Sequence, residues 1–351
     1  MMTRIVRPAI GKKSLKGFLL LSLVATLPAP IAAPAVHAAN EIRTAPSALT
    51  AAPAPLRVVS CATASCLSRA LKDVQPGDRI ELAPGTYTGS FSSAVSGTAE
   101  RPIELTSADP ARQAVLSGYS ASSGYAFNLK GGSRWIIRSL KFTNAQKGII
   151  LDRSDDSVLS DVEVYGTGYE AVHFRDGSKR GRIESSWIHD TGLSGPGYGE
   201  GVYVGSAEGA SYDQNVHDTV ISGVRFGPNI RAEHVDIKER TLRTIVENCI
   251  FDGTGISGAN YADSFIDVKG NDAVIRGNTA YRNGNAAIAD AFQLHSIVAG
   301  WGVNNRFAGN TAYLDGSAGY VVNATRDTQA FASGNVRYPA GNLYAGNVTS
   351  G

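Results

Sequence analysis

The sequence predicts an all-β chain coiled into a solenoid of parallel strands, a single-stranded β-helix. Residues 233–238 alternate two apolar residues with an Asp and a Lys, and the pattern returns about thirty residues later at 264–269. A strand pattern recurring at such a period is typical of a solenoid, whose equivalent residues stack from coil to coil. Its 39 glycines fit many tight turns. A sandwich of hairpins would not keep one order of apolar and polar residues at so long a period.

The first 39 residues are predicted to be a signal peptide. A basic region at residues 4–16 precedes an apolar segment at 18–27 that is too short to span a bilayer comfortably. Small residues then offer a cleavage site near Ala38 or Ala39. An uncleaved anchor is the alternative, and two prolines directly after the apolar segment disfavour it.

The remainder divides into two parts. Residues 40–55 are rich in Ala and Pro and are predicted to be a flexible lead-in, and residues 56–351 are predicted to form the β-helix domain. We expect a secreted, extracellular monomer that is not inserted in a membrane after cleavage, with the periplasm or the cell surface as alternative locations. The net charge of +2 and the absence of a long basic run argue against nucleic acid as a partner.

One short helix is predicted at residues 67–74, where apolar residues recur on one face. It would cap the first coil, since an open solenoid end exposes core and strand edges. Export permits a disulfide between Cys61 and Cys66. Cys249 is predicted to be a small buried residue.

Alternating apolar pairs align five successive coils and predict three polar columns on one outer face. The residues between the two apolar positions are His173, Tyr203, Asp236, Asp267 and Gln293. Those directly after the pair are Arg175, Gly205, Lys238, Lys269 and His295. Those two positions before it are Glu170, Glu200, Glu233, Ser264 and Asp290. Five coils at about 4.8 Å make a strip roughly 20 Å long, which suits an extended polymer.

A second alignment rests on asparagines at coil turns. Asn248, Asn278 and Asn310 are matched as equivalent positions, and Asn335 is predicted to continue the series. Asn347 follows too closely to mark another full coil.

The polar strip has a bland and a functional interpretation. A solvated outer face is the bland one. However, the alignment places Lys238 over Lys269 and Asp236 over Asp267, and like charges one strand apart are unfavourable unless something uses or neutralises them. The strip therefore favours a binding or catalytic role.

The strip contains the groups that would break a uronic-acid polysaccharide by β-elimination. That reaction removes the weakly acidic C5 proton, so the site must neutralise the neighbouring carboxylate and supply a base. Lys238 is the predicted base, because nearby positive charge depresses the pKa of a lysine. Glu233 and Glu200 are candidate ligands for calcium. His295 or Tyr203 would protonate the leaving oxygen.

Residues 232–238 and 245–251 resemble the central motif of the alginate lyase and chondroitinase B family, polysaccharide lyase family six. The resemblance implies a right-handed parallel β-helix. It also implies a calcium-binding role for Glu233 and a catalytic role for Lys238, five residues later. Two positions depart from the family pattern: Arg231 stands where it has a second acidic ligand, and Lys269 where it has an arginine. Arg231 could itself meet the substrate carboxylate.

The sequence thus predicts a secreted lyase that acts on an acidic polysaccharide. A glycan-binding or adhesin β-helix, a glycoside hydrolase and a C5-epimerase are the alternatives, and clustered aspartates leave the hydrolase open. The predicted catalytic residues are Lys238, Lys269 and His295. The predicted metal ligands are Glu233 and Glu200, for calcium. The predicted substrate-binding residues are Arg175, Tyr203, Arg231, Asp236, Asp267, Gln293 and Trp301, the last as a sugar-stacking ring.

Overall fold

The computed structural model of this protein describes residues 53–351, which form successive coils of short β-strands. The predicted signal peptide and almost all of the predicted lead-in lie outside these residues. Within the described part there are 28 strands, and the strand pairings between neighbouring coils are parallel. The predicted parallel β-helix is confirmed.

The strands form three faces, visited in the same order by each coil. The first face contains β1 (Arg57–Cys61), β2 (Asp78–Leu82), β5 (Ile103–Ser107), β10 (Arg182–Glu184), β13 (Val220–Ser222), β16 (Ile245–Glu247), β19 (Val274–Arg276), β22 (Asn305–Ala308), β25 (Ala330–Ser333) and β28 (Val348–Ser350). The second contains β3 (Thr86–Thr88), β11 (Trp187–His189), β14 (Arg225–Phe226), β17 (Ile250–Asp252), β20 (Thr279–Tyr281), β23 (Thr311–Tyr313) and β26 (Val336–Tyr338).

The third face carries the polar strip. It contains β4 (Phe91–Ser93), β9 (Val172–Arg175), β12 (Val202–Val204), β15 (Val235–Ile237), β18 (Ile266–Val268), β21 (Phe292–Leu294), β24 (Val322–Ala324) and β27 (Tyr344–Gly346). Three long strands turn corners and belong to more than one face: β6 (Ala114–Lys130), β7 (Trp135–Asp152) and β8 (Val158–Tyr165).

The core lies inside the coils, where the inward-facing residues of each strand stack on those of the next. On the third face Val202, Val235 and Ile266 form one such stack, and all three are fully buried. Burying an aliphatic side chain of this size contributes about 1.5–3 kcal/mol. Because strand residues alternate in direction, this inward stack fixes the polar residues between the apolar positions on the outer face.

The N-terminal end is covered by helix α1 (Ala64–Asp73), which buries Leu67, Ala70 and Leu71. The helix begins three residues before the predicted start, because the side chain of Thr63 accepts a hydrogen bond from the backbone N–H of Cys66 and caps it. The Cys61–Cys66 disulfide is confirmed. Three 3₁₀ turns complete the helical content of the described residues: Pro110–Arg112, Pro196–Tyr198 and Ala259–Tyr261. None of these helices is long and apolar enough to cross a bilayer.

An asparagine ladder runs inside the turn between the first and second faces. Asn278 donates to Asn310 Oδ1 at 3.0 Å, and Asn310 donates to Asn335 Oδ1 at 2.9 Å. The prediction that Asn248 belongs to this ladder is wrong by one residue: Cys249 lies in line with it and donates its backbone N–H to Asn278 Oδ1. Cys249 is buried as predicted, and burial raises the pKa of its thiol to about 12.

Candidate functional site

Parallel pairing on the third face brings the predicted polar columns together. Tyr203 pairs with His173 on one side and Asp236 on the other, and Asp236 pairs with Asp267. Gln293 follows Asp267 in the same column. The alignment made from the apolar pairs is therefore the register of the strands.

Lys269 is fixed between two aspartates. Its Nζ donates to Asp236 Oδ1 at 2.8 Å and lies 2.5 Å from Asp267 Oδ2. Burial disfavours the ammonium form, but Asp236 and Asp267 outweigh it and raise the pKa of Lys269 well above its ordinary value. Burial likewise opposes the Asp267 carboxylate, yet Lys269 and His295 hold its pKa far below the usual range. Lys269 therefore remains a positive charge.

Lys238 is held more loosely than Lys269. Its Nζ lies 3.5 Å from Asp236 Oδ2, and it stands 5.6 Å from the centre of the Tyr203 ring. No other carboxylate within the described residues lies in ion-pair range of this amine. The amine is thus next to a phenol, in the same cleft as the carboxylates, and is not locked between two charges.

Tyr203 carries a protonated phenol at the working pH of any ordinary enzyme. Burial, followed by the charges of Asp236 and Glu200, raises the pKa of Tyr203 far above 10. The ring packs edge-on against His173 at 4.6 Å between centroids. His173 is oriented in turn by a 2.8 Å contact between its Nε2 and the carbonyl oxygen of Gly205. This packing gives Tyr203 a defined position beside Lys238.

Three buried carboxylates form an acidic cluster beside the lysines. Glu200, Glu233 and Asp236 each place an oxygen within 4.8 Å of the others. Burial is the main reason that the pKa of Glu233 rises to about 8, with Asp236 adding to it. Burial also raises the pKa of Glu200, whose neighbours Glu170 and Glu233 repel its charge. Glu200 is only 5% exposed, and its Oε2 has no hydrogen-bond partner in the described structure.

Glu170 continues the same column but has its own partners. Lys147 Nζ lies 2.6 Å from both of its carboxylate oxygens, and His173 Nδ1 lies 3.5 Å away. Burial would raise the pKa of Glu170, but His173 and Lys147 outweigh it and bring the value to about 2. Glu170 is therefore a paired structural carboxylate, unlike Glu200.

His295 closes the other end of the strip. Its Nδ1 lies 2.8 Å from Asp267 Oδ1, and that hydrogen bond raises the pKa of the imidazole against the effect of burial. Gln293 donates to Asp290 Oδ2 at 3.1 Å. His295 is thus charged at mildly acidic pH and is in contact with Asp267, not with Lys238.

Eight of the strip residues line a cleft of about 580 Å³, and these are Glu200, Glu233, Asp236, Lys238, Asp267, Lys269, Gln293 and His295. Its floor is the polar strip from Glu200 to His295. Residues from the loops before and after the strands form its two walls, and these are Ala207, Glu208, Asn260, Tyr261, Asp263 and Ile297. The sequence did not identify the wall residues. The only signal was the extra length of some coils, such as the stretch between residues 253 and 263.

Four predicted substrate-binding residues, Arg175, Tyr203, Arg231 and Trp301, are not among those that line the cleft. Tyr203 stands in the strand column between His173 and Asp236, with its ring beside Lys238. Arg175 makes a two-pronged pair with Asp152, at 2.7 and 2.9 Å, and its guanidinium lies 4.1 Å from the centre of the Tyr212 ring. Arg231 is exposed outside the cleft, and Trp301 is half-buried in the loop that follows β21.

Comparison with known proteins identifies the fold and the enzyme class. Residues 125–312 match the family described as right handed beta helix region. The crystal structure of an alginate lyase from Paenibacillus sp. str. FPU-7 is 58% identical, with a TM-score of 0.83, and the match covers 84% of this chain and 99% of that one. No curated protein matches the sequence.

More distant structures share the fold. Pectate lyase Pel9A is 17% identical, with a TM-score of 0.59 over 84% of this chain and 78% of that chain. A rhamnogalacturonan lyase is 13% identical, with a TM-score of 0.57 over 79% of this chain and 77% of that chain. The predicted resemblance to β-helix polysaccharide lyases is confirmed by the 58% identical structure. This chain belongs to the right-handed β-helix family and is a polysaccharide lyase.

Proposed function

We propose that this lyase cleaves alginate by β-elimination, with Lys238 as the base and Tyr203 as the proton donor. The observation that carries the proposal is the position of the Lys238 amine, which lines a cleft with buried carboxylates and stands 5.6 Å from the centre of the Tyr203 ring. The 58% identity to an alginate lyase supports alginate as the substrate. Every residue of alginate is a uronate, so the polymer presents a carboxylate and an acidic C5 proton at each ring.

The reaction needs a base at C5 and a proton donor at the oxygen on C4. The base takes the C5 proton, the electron pair forms the C4–C5 double bond, and the C4–O4 bond breaks. The departing O4 takes a proton from the donor and becomes a hydroxyl. That oxygen stays on C1 of the neighbouring sugar, so the products are a chain with a 4,5-unsaturated uronate at its new non-reducing end and a chain with a free anomeric hydroxyl at its new reducing end.

Lys238 is a better base than Lys269. A lysine can accept a proton only when its amine is neutral. The two aspartates that hold Lys269 favour its ammonium form throughout the working range. Lys238 has a single carboxylate contact at 3.5 Å. We assign Lys269 the role of a fixed positive charge that keeps Asp236 and Asp267 in place, next to the carboxylate of the substrate.

Tyr203 is a better proton donor than His295. C4 and C5 are bonded to each other, so base and donor must lie within a few ångströms of one sugar ring. The Tyr203 ring lies 5.6 Å from Lys238 Nζ. His295 lies two strands further along the column, at about 10 Å. The raised pKa of Tyr203 keeps its proton available for donation.

The acidic cluster fits a calcium ion. Carboxylate oxygens are the ligands that calcium prefers, and a buried carboxylate oxygen without a hydrogen-bond partner, as at Glu200, is suited to a cation. Glu200, Glu233 and Asp236 would hold the ion. Bound calcium would supply positive charge to the uronate carboxylate and so make the C5 proton more acidic.

The Asp pair on the strip does not favour a hydrolase. A glycoside hydrolase needs one carboxyl group to act as an acid and another as a base or nucleophile. Asp236 and Asp267 share the ammonium of Lys269, and the lowered pKa of Asp267 keeps it ionised. Asp267 is therefore not available as a proton donor.

Incubation of the purified protein with alginate, pectate, glucuronan and chondroitin tests the proposal. Ultraviolet absorbance of the unsaturated product should rise with alginate. Reducing ends without that absorbance would point to a hydrolase, and inverted C5 without shorter chains to an epimerase. Binding without either change would point to a glycan-binding protein.

We also propose that the protein is exported and acts as a monomer on an extracellular polysaccharide. The basic and apolar segments at residues 4–27 support export. N-terminal sequencing of the mature protein should find a start near residue 39 or 40. Light scattering after size-exclusion chromatography measures the mass in solution.

A further inference from the structure

One wall of the cleft is a short loop that is pinned from two sides. The 3₁₀ turn at Ala259–Tyr261 lies against the turn at Pro196–Tyr198, where Asn260 Nδ2 donates to the Gly197 carbonyl at 3.1 Å. Ser257 fixes the base of the loop, because its hydroxyl donates to the Arg231 carbonyl at 2.7 Å. The backbone of the loop is therefore held in one conformation.

Two consecutive residues of this loop have left-handed backbone. Asn260 has φ 55° and Tyr261 has φ 67°. Asparagine tolerates this region, but for a bulky tyrosine it is an unfavourable conformation. Such residues persist where the surrounding structure enforces them, and they concentrate at functional sites and ligand clamps. Here the result is that the Tyr261 ring is directed outward at the rim of the cleft.

The Tyr261 ring lies free at that rim. It is 87% exposed, and none of the aromatic stacking or cation–π pairs within residues 53–351 involves it. Scattered surface apolar residues are normal and need no explanation. Tyr261 differs because it borders the same cleft as Lys238 and Lys269, and because its exposed position costs backbone energy.

We propose that Tyr261 is a stacking platform for a sugar ring of the polysaccharide, at a subsite next to the reacting uronate. The inference rests on the proposed function and adds a substrate-binding residue to it. A pyranose presents an apolar C–H face, and an aromatic ring offers it a large apolar surface at a small cost in side-chain entropy.

The opposite wall supports the same placement. Ile297, on the loop after β21, is half exposed and lines the cleft from the other side. Tyr261 and Ile297 thus offer apolar surface at the cleft to the C–H faces of a sugar ring. The floor between them carries the charges of Lys269 and His295, which suit the carboxylate of the same uronate.

The experiment compares Tyr261→Ala, Tyr261→Phe and a matched control, Tyr119→Ala. Tyr119 is also an exposed tyrosine, at 72%, but it lies in β6 and does not line the cleft. Initial rates are measured on alginate oligosaccharides of increasing length. Tyr261→Ala should raise KM about two- to tenfold for substrates long enough to occupy the extra subsite, and little for the shortest that are cleaved. Tyr261→Phe and Tyr119→Ala should keep the wild-type KM.

Two outcomes would overturn the proposal. One is an unchanged KM for Tyr261→Ala at all lengths, and the other is a Tyr261→Phe variant as weak as Tyr261→Ala, which would make the hydroxyl the contact. Calorimetric titration of the same oligosaccharides into Lys238→Met, alone and with Tyr261→Ala, measures affinity without turnover. If the wild type does not cleave alginate, the proposed function is wrong. If Tyr261→Ala leaves the affinity of Lys238→Met unchanged in this titration, only the stacking role of Tyr261 is wrong.

Discussion

Lys269 donates a hydrogen bond to Asp236, which lies on the neighbouring coil directly beside the strand position of Asp267. The ammonium thus joins two aspartates that would otherwise repel each other at one strand spacing. Stacked like charges, which suggested a function for this strip, are compensated by one buried lysine. The other lysine of the repeat, Lys238, is left with a weaker contact, and this difference supports the proposal that Lys238 is the base and Lys269 a fixed charge.

The first prediction concerns stability. Lys269→Met should lower the free energy of unfolding by about 3–5 kcal/mol, because it leaves two buried carboxylates without their partner. Lys238→Met is the control and should cost clearly less, since Asp236 keeps Lys269 and is not left as an uncompensated buried charge. Urea denaturation measures both. Equal losses in the two variants would contradict the distinction between the lysines.

The second prediction concerns the base. Lys238→Met should reduce kcat by about 10²–10⁴-fold, because proton abstraction at C5 loses its acceptor. Lys238→Arg should be almost as inactive, because a guanidinium keeps the charge but cannot accept a proton. Both variants should keep the wild-type circular dichroism spectrum. Activity within tenfold of wild type in Lys238→Arg would mean that the residue supplies charge and that another group is the base.

The columns of the strip could be predicted because of the geometry of a parallel β-helix. Parallel strands pair position by position, and the inward apolar residues fix which side chains face outward. The alternation of Val235 and Ile237, repeated at Ile266 and Val268, was therefore sufficient to bring Asp236 and Asp267 together. The spacing of the apolar residues thus predicted both which side chains face outward and which residue of the next coil each of them pairs with.

The asparagine ladder shows where such alignment fails. Asn248 was matched to Asn278 by residue type, but it pairs one position earlier, where the next coil has Gly277. Asn248 has φ 54° and Gly277 has φ 64°, so the asparagine takes the left-handed position that glycine occupies in the following coil. Cys249 then stands in the ladder, where a small residue fits. Asparagine suits both the left-handed turn position and the ladder position, so residue type alone did not distinguish the two.

The cleft walls could not be predicted, because loops carry no periodicity. Tyr261 and Glu208 belong to insertions between strands, and their position depends on contacts such as that between Asn260 and Gly197. The ion pairs of the two lysines could not be predicted either. Lys238 and Lys269 occupy equivalent positions in the repeat, and only the three-dimensional structure shows that Lys269 contacts both aspartates.

The third prediction concerns the proton donor. Tyr203→Phe should lower kcat about 10²–10⁴-fold with little change in KM, because the ring still packs against His173 but no longer has a proton to donate. Tyr212→Phe is the matched control, since the Tyr212 ring lies beside Arg175, whereas the Tyr203 ring lies beside Lys238. A nearly active Tyr203→Phe together with an inactive His295→Asn would reassign the donor to His295.

The fourth prediction is a pH dependence of stability. His189 contacts Asp190 Oδ2 at 2.6 Å and Glu163 Oε1 at 3.2 Å. Burial opposes its charge, but hydrogen bonds to Glu163 and Asp190 raise the pKa of His189 above the ordinary value. Its stabilising effect should be fully present below about pH 6.5 and fall as pH rises through the raised pKa. The difference in unfolding free energy between wild type and His189→Gln should therefore shrink toward alkaline pH.

Denaturation of both proteins in urea, from mildly acidic to alkaline pH, measures that difference. His217 provides a comparison of opposite sign, because burial lowers its pKa. His217→Gln should not reproduce the loss of stabilisation at alkaline pH. A His189→Gln difference that stays constant across the range would mean that the ring contributes by stacking on Trp187 and Tyr165, not by its charge.

The fifth prediction concerns calcium. Calcium at one hundred times its dissociation constant should stabilise the wild type by about 2.7 kcal/mol, and chelation should lower both the melting temperature and the rate on alginate. Glu200→Gln should abolish the calcium-dependent shift, because it replaces the carboxylate whose Oε2 has no hydrogen-bond partner. Glu81→Gln is the control, since Glu81 lies on β2 of the first face and pairs with Arg79 at 3.6 Å. Calcium titration by calorimetry gives a readout that does not depend on turnover. A chelated protein with the same melting temperature and the same rate would show that Lys269 and the cluster act without an ion.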